Sequence, residues 1–169
     1  MPKTRDEKEI VINTGPIIAL AAAVDDLRLL ESLYQTVYVP HEVAAEIRAK
    51  GTAKFAVEQF NAARGLMILD SPVADMPPLL RNSLDLGEAS VIQYALDNDV
   101  TTVCIDEAAG RRVARLCGLE LTGSVGILLR AKHEGYPVEL TTAIERMKQR
   151  GIWLSERLIV SVLRQAGEA

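Results

Sequence analysis

The stretch Ile10-Val-Ile-Asn-Thr-Gly-Pro-Ile-Ile-Ala-Leu20 decides how the rest of the chain is read. Three apolar, β-favouring residues end at an Asn-Thr-Gly-Pro turn signal, and the apolar run after Pro16 consists of helix formers with proline in the first turn. The predicted order is strand, turn, helix. No internal repeat is present, and a second strand followed by a helix is read over residues 101–116. There the β-branched or small residues from Thr101 to Ile105 form the best strand of the sequence, and Asp106 opens a helix expected to carry Ala109, Val113 and Leu116 on one face, closed by Gly118.

Working outward, Asp25 or Asp26 is expected to cap a second helix that runs through Leu33, and residues 36–39 are β-rich and stop at Pro40. Val43 and Ile47 recur at helical spacing in a helix over residues 41–50 closed by Gly51, followed by a helix over 52–64 and a brief strand over 66–69. Residues 70–78, with three prolines and two aspartates, read as a loop between halves of one sheet. A helix within 84–98 places Val91, Ile92, Ala95 and Leu96 on one stripe, with Glu88 in its first turn. A short strand over 119–122 and a helical stretch over 125–132 follow. Two helices close the chain, with Leu140, Ala143, Ile144 and Met147 on one face of the first and Ile159, Val162 and Leu163 on one face of the second. Strands alternating with helices predict an α/β fold with a central parallel sheet covered on both faces, in one domain spanning residues 1–169.

Composition supports a folded chain: 49% hydrophobic residues against 25% charged can offset the entropy of ordering, and only 4% aromatics means a core of Ala, Val, Ile and Leu. The longest candidate apolar run, from Ile17 to Val24, is far short of the roughly 18 to 20 residues of a membrane helix. The charged start of the chain has no hydrophobic region with a cleavage site, so the expected compartment is the cytoplasm, without a membrane association. Cys104 and Cys117 lack zinc-site spacing and read as small core residues. Net charge is -4. Residues 1–100 carry 9 basic and 15 acidic groups and residues 101–169 carry 10 and 8, so the balance moves from -6 to +2 along the chain. Some apolar surface is expected to remain for a partner, and a homo-oligomer is expected.

In an open parallel sheet, ligands bind beyond the carboxyl ends of the strands. Asn13 follows the first strand, Asp106 the fourth, and Thr122 ends the last, so these three are expected on one rim, with Glu46 and Glu88 leaning in from neighbouring helices. Oxygen donors of this kind suit a hard cation such as Mg²⁺. The helix dipole alone can explain an acid in a first turn, as for Glu88, Asp106 and Glu107, and Thr14 and Ser124 are ordinary turn and cap residues. Glu42, four residues from Glu46, is expected at the surface. What favours a site is the joint placement of the acids. Neither His41 nor His133 lies in a nucleophile motif, and neither a phosphate-cradling Gly-Lys-Ser/Thr loop nor a G-x-G-x-x-G signature is present, which argues against an NTPase and a dinucleotide enzyme.

The order of motifs adds to this: Ile10 to Leu20, then Tyr38-Val-Pro-His-Glu-Val-Ala-Ala-Glu-Ile47, then Leu86-Gly-Glu-Ala-Ser-Val-Ile-Gln-Tyr-Ala95, then Val103-Cys-Ile-Asp-Glu-Ala-Ala109. The series resembles the PIN-domain family. The segments Leu121-Thr-Gly-Ser-Val-Gly-Ile-Leu-Leu-Arg-Ala-Lys132 and Gly151-Ile-Trp-Leu-Ser155 look like a prokaryotic subgroup of it. The resemblance implies a three-layer α/β/α sandwich with four to five parallel strands. It also implies Mg²⁺ or Mn²⁺ at a cluster of acids and hydrolysis of single-stranded RNA, often as the toxin paired with a small antitoxin protein, and a homodimer is expected. Carried over by position, the catalytic and metal-holding residues are Asn13, Glu46, Glu88 and Asp106, with Thr14, Arg111 and Ser124 as candidate substrate contacts. Asn13 departs from the family pattern, which usually has Asp there, and Glu88 stands where many relatives have Asp. A neutral amide oxygen can coordinate a cation but makes the site less negative by one charge. The alternative expectation is therefore a catalytically weak or silent module that binds nucleic acid or a protein.

Overall fold

Ile10, Val11 and Ile12 are fully buried, as an uninterrupted apolar run must be when both faces of its strand are covered. In the computed structural model, which describes residues 8–49 and 51–169, this run is β1 (Glu9–Ile12), followed by α1 (Thr14–Val24), α2 (Leu29–Leu33), β2 (Thr36–Val39), α3 (His41–Arg48), α4 (Lys54–Ala62) and β3 (Leu66–Ile68). Then come α5 (Pro78–Ser83), α6 (Leu86–Asp97), β4 (Thr102–Cys104), α7 (Ala108–Leu116), β5 (Glu120–Thr122), α8 (Ser124–His133), α9 (Leu140–Gln149) and α10 (Glu156–Gln165).

The strands pair in the order β3-β2-β1-β4-β5, with every pairing parallel. The order runs outward in one direction from β1 to β3 and in the other from β4 to β5. The switch therefore lies between β1 and β4, where Val11 pairs with Val103 and Ile12 with Cys104. Helices flank the sheet to give the expected α/β/α sandwich: α6 packs on β1 and β4 and meets α3 and α7, while α1 packs with α4, α8 and α9. The core is aliphatic, with Phe60 its largest fully buried side chain. Leu140, Ala143, Ile144 and Met147 of α9 are all buried, as their spacing predicts.

Several local expectations are corrected. Asp25 ends α1 in the left-handed conformation (φ 55°) and binds Arg146 and Arg150, while Asp26 pairs with Arg28; neither caps α2. The helix α3 ends at Arg48, earlier than expected, and Lys50, the expected last residue, lies outside the described residues. The short helix α5 was not expected. The helix α7 begins two residues after Asp106 and buries Gly110 and Ala114, while Leu116 is 81% exposed. Small residues face inward because the backbone is close: a Cβ on Gly110 would lie 2.9 Å from Ile105 Cγ2. Glu42 is buried rather than at the surface, and its carboxylate accepts the Val73 N–H at 3.1 Å, pinning the 70–78 loop to α3.

Near the other end of the chain, the Glu168 carboxylate accepts from Lys132 Nζ at 2.5 Å, from the backbone N–H groups of Leu140 and Thr141 at 2.8 and 2.9 Å, and from the Thr141 hydroxyl at 2.8 Å. It supplies the start of α9 with the cap that Glu139, the N-cap residue, does not. Burial alone would raise this carboxyl, but the bonds from Lys132, Thr141 and Leu140 outweigh it and lower its pKa to about 2. A depressed carboxylate contributes its stability above the unfolded value near 4.5 and loses it as pH falls toward about 2. Glu168→Gln is expected to lower Tm by roughly 3–6 °C at pH 7. Circular-dichroism melts should show that gap closing as the pH falls below about 4.5; a gap independent of pH would contradict the clamp.

Candidate functional site

Asn13 is the N-cap residue of α1, a position where an asparagine side chain ordinarily accepts a hydrogen bond from the second or third helical N–H. Here the third helical residue is Pro16, which has no N–H, and the Asn13 side chain makes no cap bond. Its backbone N–H instead donates to the Cys104 carbonyl at 3.0 Å, extending the β1–β4 pairing by one residue at the switch. The side-chain oxygen Oδ1 is buried without a hydrogen-bond partner among the described residues. An orphaned buried carbonyl oxygen costs roughly 1–3 kcal/mol.

Other oxygens share its surroundings because of Gly87. A Cβ at this position would lie 2.8 Å from Glu46 Oε2, 3.1 Å from Asn13 Oδ1 and 3.5 Å from Asp85 Oδ1. Gly87 sits in the first turn of α6, where it leaves a cradle open to donors from β1, α3 and α6. Glu46 is oriented by the Thr14 hydroxyl, which donates to Oε2 at 2.8 Å. Asp85 caps α6 by accepting the Glu88 N–H at 2.8 Å. The signal for Asp85 was present in Asp85-Leu-Gly-Glu88, an acid three residues before another at a helix start, but the residue was not among those expected at the site.

Glu88 is 4% exposed and faces α7, where a Cβ on Gly110 would be 3.1 Å from its Oε1. Burial, then the charge of Asp85, push its carboxyl above the ordinary range; Glu107 and Glu46 add to this, and a backbone hydrogen bond at Asp85 opposes it. Glu88 thus feels acids on both sides, with Glu46 and Asp85 toward Gly87 and Glu107 at the start of α7. Asp106 lies beyond Glu107. Its Oδ1 accepts the Ser124 N–H at 2.8 Å, in the gap left by Gly123, where a Cβ would be 2.7 Å away. Arg111 donates through Nη1 to the carbonyls of Ile105 (2.8 Å) and Thr122 (3.3 Å), tying together the ends of β4 and β5. The expected residues therefore fall into two neighbouring groups: Asn13, Thr14, Glu46 and Glu88 around α6, and Asp106, Arg111 and Ser124 around the start of α8. The second group lines a cleft of about 1010 Å³ that runs on to Trp153 and α10.

Among the described residues no three His, Cys, Asp or Glu side chains are gathered as a ready metal cage. The donor chemistry nevertheless fits a hard divalent ion. All donors are oxygens, one is buried and orphaned, and Mg²⁺ is usually held by only one or two carboxylates, with waters and substrate phosphate completing its shell. Zinc would want nitrogen or sulfur, whereas Cys104 is fully buried with its thiol pushed well above the usual range by that burial. No described helix is long and apolar enough to cross a membrane.

No curated protein and no solved structure matches the chain. The family model described as PIN domain matches residues 9–168, a span that takes in every strand and all the residues around Gly87 and Gly123. The chain belongs to the PIN-domain family.

Proposed function

We propose that the protein is a metal-dependent endoribonuclease that hydrolyses phosphodiester bonds of single-stranded RNA. The observation that carries this reading is the Gly87 cradle, where the orphaned Asn13 Oδ1 and the Glu46 carboxylate face the same space beside Glu88. Asn13, Glu46, Glu88 and Asp106 would hold Mg²⁺ or Mn²⁺. When bound, the ion supplies positive charge at the scissile phosphate and makes a bound water more acidic.

The chain's own residues prepare this chemistry. The Thr14 hydroxyl and the Ser124 N–H fix the Glu46 and Asp106 carboxylates, which limits the reorganisation left for the reaction. Arg111 holds the rims of β4 and β5 so that Asp106 faces the cleft. The charges of Asp85, Glu107 and Glu46 acting on Glu88 favour uptake of a cation. The physiological form we propose is a cytoplasmic homodimer acting as the toxin of a toxin–antitoxin pair. Exposed Leu79, Leu86 and Leu116 offer apolar surface for contacts with the small antitoxin or a second copy.

One observation favours a second reading, a silent module that grips nucleic acid or protein: the neutral Asn13 where the family usually has Asp. The two readings separate in solution. Asp106→Ala is expected to lower Mn²⁺-dependent cleavage of a single-stranded RNA by about 100-fold or more while the melting curve stays cooperative; a silent module would show no cleavage to lose. Asn13→Asp places a buried, unpaired charge beside Glu46. It should lower Tm in EDTA by roughly 3–8 °C, and excess Mn²⁺ should restore it. Gly87→Ala is expected to displace the flexible end of Glu46, keep Tm within about 3 °C, and weaken Mn²⁺ binding about 10-fold by calorimetry. Unchanged affinity in that variant would remove the cradle from the metal site.

A further inference from the structure

Trp153 is the one tryptophan of the chain and is 83% exposed, the most exposed large apolar side chain among the described residues. It contributes little to the core, yet it stands on a well-braced segment. Gly151, at φ +82°, turns the chain out of α9 after donating to the Lys148 carbonyl at 3.0 Å, and the Ile152 N–H donates to Met147 at 3.0 Å. On the far side Ser155 caps α10 by accepting the Leu158 N–H at 3.2 Å. Between these anchors Ile152 and Leu154 are half-buried and Trp153 alternates outward, at the wall of the cleft that also holds Asp106 and Arg111.

We propose that Trp153 is a stacking platform for a base of the single-stranded RNA whose phosphate is cut at Asp106, an inference that rests on the nuclease reading above. Base stacking on an aromatic side chain requires an exposed π-face on rigid backbone beside a path for the phosphates, and it tolerates any base. The charge around Trp153 suits the phosphates. Residues 146–164 contain Arg146, Lys148, Arg150, Arg157 and Arg164 against Glu156 alone, in a chain of net charge -4. Asp25 takes up Arg146 and Arg150, while Lys148, Arg157 and Arg164 remain exposed, the last two each directly preceding a cleft-lining residue of α10. A second copy docked symmetrically on this face would bring the same basic residues and be repelled, whereas a polyanion is attracted.

The test uses the full chain in EDTA, where no metal supports cutting, with a fluorescein-labelled single-stranded RNA and an abasic oligomer of the same length. The RNA should quench the emission of the sole tryptophan, and the abasic oligomer should not. Trp153→Ala should weaken RNA binding by between about five-fold and about 100-fold, and Trp153→Phe should restore most of it. Because Trp153 packs against so little, both variants should melt like the parent. RNA binding that is equally tight in Trp153→Ala, or no RNA binding by the parent, overturns the inference; so does tryptophan emission that changes with protein concentration alone, which would mean a second copy covers the site. The nuclease reading is judged separately, by Mn²⁺-dependent cleavage. Cutting without quenching leaves that reading and removes this one, and quenching without cutting does the reverse.

Discussion

The pairing of β1 with β4 sets everything else in place. These two strands begin the two opposite runs of the sheet, so no connection covers the gap above their carboxyl ends, and the Asn13 N–H extends their ladder by one bond to Cys104. That bond fixes the backbone of Asn13 as the first strand becomes a helix. Pro16 then withholds the N–H that would ordinarily satisfy the Asn13 side chain. The result is an oxygen held in the crevice by the fold, without a hydrogen-bond partner among the described residues.

Around this point glycine decides how near the neighbouring elements can come. Gly87 lets Glu46 and Asn13 share a cradle, Gly110 lets α7 approach Ile105 and Glu88, and Gly123 makes room for the Asp106 carboxylate. A methyl group at any of the three would meet an oxygen or carbon within 3 Å. Close approach of backbone also buries Glu88 among other acids, and burial first, then the charges of Asp85, Glu107 and Glu46, raise its carboxyl above the ordinary range. The stability lost to this crowding is offset elsewhere by the aliphatic core and by clamps such as Glu168 on the start of α9.

Much of this was legible in the residues. The strands follow from short β-rich runs ended by turn signals and the faces of α9 and α10 from period-3.6 patterns, and β2 matches its expected bounds. What failed depends on distant partners. Glu42 has the spacing of a solvated stripe, but it is buried because Val73, 31 residues away, needs an acceptor. Leu116 has the apolar identity of a core position, yet α7 turns Gly110 and Ala114 inward because only small residues fit against Ile105. Asp25 could cap a helix as well as end one, and Arg146 and Arg150 decided the matter from the far end of the sequence. At the candidate site, the placement of Asn13 just after β1 and of Asp106 just after β4 was readable. The division into an α6 group and an α8 group was not, nor was the part played by Asp85.

The central claim is that the crevice at the strand-order switch binds a hard divalent cation through chain oxygens, Asn13 Oδ1 among them. The most direct measurement is a crystal structure grown with Mn²⁺ and recorded at a wavelength where manganese scatters anomalously. The account predicts one strong anomalous peak bounded by Asn13 and at least one of Glu46, Glu88 and Asp106. A map with no peak there, and with Asn13 Oδ1 hydrogen-bonded to the protein, would contradict it.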